Sequence, residues 1–154
     1  MIGGMIMYKV VVSKNMGRVY FEYENKFDKN QLLSNCISCF PSENIFELLE
    51  LIKRINSGEV KNCSYVFEGY YFVVDKDNVY VRYDEGDLVM EENYTLNELL
   101  SKIITYCDEY EKYFNVDIRK IPDGFDFNRT DFFDEDGIMD YTLIENRSEE
   151  KKTR

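Results

Sequence analysis

The chain has 154 residues, of which 44% are apolar and 16% aromatic, enough to bury a core within one domain and too apolar for a disordered segment. Its net charge of −11 argues against a nucleic-acid ligand and against an anionic membrane surface, both of which recruit Lys and Arg. Histidine is absent, which removes the commonest general base, the commonest metal ligand and every His-based triad.

The N-terminal MIGGMIMYKVVV has no basic stretch ahead of its apolar residues and reads as the start of a strand, not as a secretory signal. No apolar run is long enough to cross a bilayer. Residues 6–13 are strand-like, and Lys14-Asn15-Met16-Gly17 reads as a turn. Residues 18–24 then alternate, with Val19, Phe21 and Tyr23 on one face, so the two runs predict a hairpin. Residues 27–40 are ambiguous: Leu32, Leu33, Cys36 and Ile37 have helical spacing, and Pro41 would end a short helix there. Over residues 44–56, Ile45, Leu48, Leu49, Ile52 and Ile55 form a helical stripe. Ser42 or Asn44 is placed to cap that helix, Asn44 and Glu47 approximate a capping box, and Gly58 sits just past its end.

Residues 63–83 (CSYVFEGYYFVVDKDNVYVRY) are the organising stretch. They are dense in Tyr, Phe and Val, and Glu68-Gly69 and Asp75-Lys76-Asp77-Asn78 divide them into three antiparallel strands over 64–67, 70–75 and 79–83. Within the acidic run 84–93, Leu88-Val89-Met90 predicts a short edge strand kept soluble by charge. Residues 95–114 are a helix with a Thr95–Glu98 capping box and one apolar face: Leu96, Leu99, Leu100, Ile103, Cys107, Tyr110 and Phe114. Pro122-Asp123-Gly124 is a turn, residues 138–144 alternate like a late strand, and 146–154 read as a flexible polar tail. The expected architecture is α+β, an antiparallel sheet of about five to seven strands with two main helices packed on it. It forms a single domain over 1–154 with its folded core in 5–145.

Cys36 and Cys39 make a C-x-x-C, but Cys63 and Cys107 are single and distant, so reduced core cysteines are expected in place of a zinc site or redox pair. There is no G-x-G-x-x-G and no Walker A lysine motif. Counting an EF-hand loop back from Gly137 puts Phe132 at the first ligand position and Leu143 at the last, which fails the pattern. No catalytic residue, cofactor or metal is assigned, and the chain is expected not to be an enzyme.

The constellation that stands out interleaves phenylalanines and acids over 125–136. Asp123, Asp126, Asp131, Phe132, Phe133, Asp134, Glu135 and Asp136 are candidate contacts to a basic protein partner. Against that, Phe125, Phe127, Phe132 and Phe133 can pack beneath the sheet and leave the acids solvated. Asp84, Glu85 and Asp87, with Glu91 and Glu92, form a second acidic candidate.

In type, the chain resembles the immunity proteins of bacterial polymorphic-toxin systems, including contact-dependent growth inhibition. The resemblance rests on a small acidic chain rich in Tyr, Phe, Asn and Cys, with segments such as Phe132-Phe133-Asp134-Glu135-Asp136. It implies a cytoplasmic protein that neutralises a cognate toxin domain, often a nuclease, by binding it. Two other readings stand beside it: a phage-type mimic of nucleic-acid charge that blocks a defence nuclease, and a small carboxylate- or Cys-dependent enzyme.

Overall fold

The computed structural model describes residues 8–125 and, as backbone only, residues 139 and 140. The strands are β1 (Tyr8–Ser13), β2 (Arg18–Tyr23), β3 (Asn62–Phe67), β4 (Tyr70–Asp75), β5 (Val79–Glu85), β6 (Leu88–Tyr94) and β7 (Met139–Asp140). The helices are α1 (Lys29–Cys39), α2 (Ile45–Ser57) and α3 (Leu96–Phe114). The chain is α+β, as its patterning predicts, with three helices among the described residues where two main ones are expected.

Among the described residues the strands fall into two sheets, not one. β1 and β2 pair alone, and the larger sheet runs β6-β5-β4-β3-β7. Strands β3 to β6 form the expected antiparallel meander, while β7 joins β3 in parallel over two residues. Of the late strand predicted at 138–144, only 139 and 140 are among the described residues, and the tail at 146–154 lies outside them.

Among the described residues, Gln31 occupies part of the free edge of β2. Its Oε1 accepts from the Tyr23 backbone N at 2.8 Å and its Nε2 donates to the Phe21 carbonyl at 2.7 Å. One side-chain amide thus makes the bonds a neighbouring strand would make along that part of the edge.

Gln31 lies on α1, which packs against β2, α3 and the inner side of β5 and β6. This central helix buries Gln31, Ser34 and Ser38 beside Leu32, Leu33, Cys36 and Ile37. The buried polar residues interrupt the apolar stripe, so residues 27–40 are hard to read as a helix. Asp28 caps it by accepting from the Asn30 backbone N at 2.8 Å. The helix stops ahead of Pro41, whose ring disfavours helical backbone before it.

The predicted cap of α2 is not made. A 3-10 turn at Ser42–Asn44 leads into the helix, and Asn44 makes no side-chain cap bond. The far end follows expectation, with Gly58 left-handed at φ 86°. In α3 both halves of the capping box form: Glu98 N donates to Thr95 Oγ1 at 3.0 Å, and Thr95 N donates to Glu98 Oε1 at 3.1 Å. Leu99, Ile103 and Cys107 are fully buried, as is Tyr106, which the predicted stripe omits. Tyr65, Phe72, Leu33, Leu48 and Ile52 fill the centre, each large side chain contributing ~1.5–3 kcal/mol of transfer free energy.

Candidate partner-binding surface

The alternation of β3 to β6 sorts their side chains cleanly. Cys63, Tyr65, Tyr70, Phe72, Val74, Val79 and Val81 point to the helices and are buried. Cross-strand register places Val66, Tyr71, Arg82 and Glu91 in one row on the other face, and Ser64, Val73, Tyr80 and Asn93 in the next. Val66 is 59% exposed and Tyr71 44%, so this face is open among the described residues.

The second acidic candidate becomes a defined structural unit. The edge strand predicted at 88–90 extends to Tyr94 and pairs with β5 through seven residue pairs. Pairing to β5 overrides the low strand propensity of Glu91, Glu92 and Asn93. The resulting β5–β6 hairpin exposes Asp84, Glu85, Asp87, Glu91 and Glu92, with Arg82 as its one base.

Three of these carboxylates are oriented by neighbours. Arg82 reaches Asp84 at 3.4 Å, Tyr80 Oη donates to Glu91 at 2.6 Å, and Tyr83 Oη donates to Glu85 at 2.7 Å. The hydrogen bonds to Glu91 and Glu85 push the Tyr80 and Tyr83 phenols above their ordinary value. Asp87 and Glu92 have no hydrogen-bond or ion-pair partner among the described residues. Leu88 and Val89, 42% and 47% exposed, lie between the acids.

Of the first candidate set, Asp123 is described and Asp126, Asp131, Phe132, Phe133, Asp134, Glu135 and Asp136 lie outside the described residues. Asp123 is exposed in the predicted turn, closed by Phe125 N donating to the Pro122 carbonyl at 3.1 Å with Gly124 at φ 78°. Phe125 packs edge-on against Phe46 of α2, ring centroids 4.8 Å apart. Phe125 is thereby partly buried against the core, on a helix and not beneath the sheet.

A groove of about 610 Å³ goes beyond what the sequence predicts. The inner side of the β5–β6 hairpin forms one wall with Tyr83, Glu85, Leu88 and Met90, and β2 with the segment leading into α1 forms the other. Its aromatic residues are scattered from Tyr20 to Tyr83 in sequence, so no local pattern announces it. The Tyr83 ring lies tilted against Tyr70 at 4.6 Å, and Tyr70 stacks on Phe67 at 5.7 Å, which ties the wall to the core.

Arg18 and Glu68 brace the two sheets at one end, with Arg18 donating to the two carboxylate oxygens at 3.2 and 2.8 Å. The guanidinium holds the Glu68 carboxyl below its ordinary value. Beside them Cys39 lines a cleft of about 290 Å³, and burial pushes its thiol up to about 11. Burial also raises the thiol of Cys36, and takes Cys63 and Cys107 to about 12. A thiol shifted in that direction is protonated at neutral pH and is not primed as a nucleophile. A third cavity, where Lys102 donates to the Tyr23 hydroxyl, is about 50 Å³ and has room for a few waters.

No described helix is long and apolar enough to cross a membrane. No family model, no curated protein and no solved structure matches the chain.

Proposed function

We propose that this chain is an inhibitory binding protein that occludes the basic working surface of a protein partner, as an immunity protein neutralises a nuclease toxin in the cytoplasm. The observation that carries this reading is the β5–β6 hairpin. It holds five exposed carboxylates against one guanidinium at the edge of a sheet, with exposed Leu88 and Val89 among them. A surface used for solubility alone gains little from concentrating one sign of charge on a regular edge strand. Like charges held close raise the free energy of the free protein and are relieved when a basic surface meets them. Such a field speeds encounter with a basic cleft, and apolar or aromatic contacts then slow dissociation. The action is binding, with no reaction catalysed.

The test is to purify the tagged chain from its native host in moderate salt. A basic protein held in stoichiometric amount, whose activity the chain suppresses, supports the reading. Recovery of the chain alone, with no partner at any salt concentration, overturns it.

A further inference from the structure

The tyrosine-lined groove carries the proposal further, to the kind of group it takes. We infer that the groove between β2–α1 and the β5–β6 hairpin is the seat for an extended segment of the partner bearing arginine or lysine side chains. This rests on the binding reading above and assigns that reading a defined site.

The groove combines a cavity, aromatic faces and carboxylates. Its volume of about 610 Å³ lies within the ~300–1,000 Å³ usual for binding pockets. Tyr20, Tyr23 and Phe27 stand on one wall, and Tyr70 and Tyr83 on the other. Glu22 and Glu85 add two carboxylates against one base, Lys26, and Glu92 lies on the same side of the hairpin, opposite Val81. Aromatic faces with carboxylates beside them match a guanidinium or ammonium group on an apolar stem.

The walls already show this chemistry within the chain. On one wall Lys26 Nζ lies 5.2 Å from the Phe27 ring centroid, and in the adjoining small cavity Lys102 Nζ lies 4.9 Å from that of Tyr23. Phe27 is 59% exposed and Leu88 42%, an apolar surface that an incoming segment would cover. The second wall is preorganised, because Tyr83 is fixed by the Tyr70 ring and by its bond to Glu85. Charge also decides among occupants: a second copy of this chain would bring its own acidic hairpin against this one.

The experiment titrates an acetylated, amidated hexapeptide of alternating arginine and leucine into the full chain carrying 13C-labelled aromatic rings. A hexapeptide of alternating glutamate and leucine is the control. The expected result is saturable shifts of the Tyr20, Phe27 and Tyr83 rings with the basic peptide and none with the acidic one. Phe27→Ala and Glu85→Gln, both at exposed positions, should each weaken binding ~5-fold or more. The proposal is overturned by equal binding of the acidic peptide, by shifts confined to Tyr71 and Tyr80 on the opposite face, by no saturable shift at all, or by ring shifts that follow protein concentration without peptide.

Failure here and failure of the binding reading are separable. If neutralising the hairpin acids releases the partner while the peptide leaves the rings unmoved, the groove assignment falls and the binding reading stands. If the peptide seats but the partner ignores the hairpin acids, the hairpin loses its role in binding and the groove keeps its selectivity for basic segments.

Discussion

Replacing Gln31 with methionine removes both hydrogen bonds that close the edge of β2 while keeping the length of the side chain. The Tyr23 N–H and the Phe21 carbonyl are then left buried without these partners, at ~1–3 kcal/mol each. Partial relaxation of α1 against β2 offsets some of this, so the expected loss is ~3 kcal/mol. For a chain of this length each kcal/mol moves Tm by ~2–4 °C, which gives a fall of ~6–12 °C. Circular dichroism melting measures the shift, and native-state hydrogen exchange at the Tyr23 amide locates it. That amide is protected in the wild type and should exchange rapidly in the variant. A Tm within ~2 °C of wild type, with Tyr23 protection intact, would refute the view that one amide side chain stands in for a strand.

Other outcomes are equally specific. Gly69→Ala should cost ~1–2 kcal/mol by urea unfolding, because φ is +84° there and an added Cβ would sit 3.1 Å from the Tyr83 ring and 3.2 Å from the Asp84 carbonyl oxygen. An unchanged midpoint would contradict the close approach. Cys36, Cys63 and Cys107 should resist iodoacetamide at pH ~8 in the native chain and label in urea, read by mass spectrometry, since they are fully buried with raised thiol values. Native labelling of Cys63 would count against its place in the core. Glu68 and Glu98 are held below the ordinary 4.5 by Arg18 and by the Thr95 N–H, so their contribution is complete above that pH and is lost as pH falls through the lower folded values. Glu68 is half exposed, so its share is well under ~1 kcal/mol. Arg18→Ala should therefore move the acid-unfolding midpoint upward by a small amount, and an unmoved midpoint would show that the brace is idle.

The elements legible in the sequence are those whose pattern is local. Thr95 and Glu98 announce α3 because a capping box is a three-residue spacing, and Glu68-Gly69 announces the β3–β4 turn because both residues adopt positive φ there, at 44° and 84°. The three strands of the meander were readable because Tyr, Phe and Val alternate with turn residues between them. What escaped depends on distance in the chain. The free edge of β2 is met by Gln31 from eight to ten residues away, and α1 is obscured by the same buried polar residues that give it its place. Strand β6 runs four residues beyond the predicted edge segment because its partner β5 supplies the register.

The candidate site divides along the same line. A charge run is visible in sequence, so Asp84, Glu85 and Asp87 were found, and the hairpin arranges them with Glu91 and Glu92 on one exposed unit. The phenylalanines interleaved with acids from 125 to 133 are the aromatic signal in the sequence, yet Phe125 packs on Phe46, and the tyrosines that line the groove come from β2, β4 and β5. Convergence of that kind is a property of the fold and leaves no spacing to read.

The central claim is that the hairpin's charge drives association with a basic partner. The most direct measurement is the association rate of the co-purified partner, by stopped flow across ionic strength, with wild type and with a variant carrying Asp84→Asn, Asp87→Asn, Glu91→Gln and Glu92→Gln. These four side chains are exposed, so Tm should stay near that of wild type. The account predicts a rate at least ~10-fold lower at low salt and a flatter salt dependence for the variant. A variant that folds normally and associates at the wild-type rate, with the same salt dependence, would contradict it.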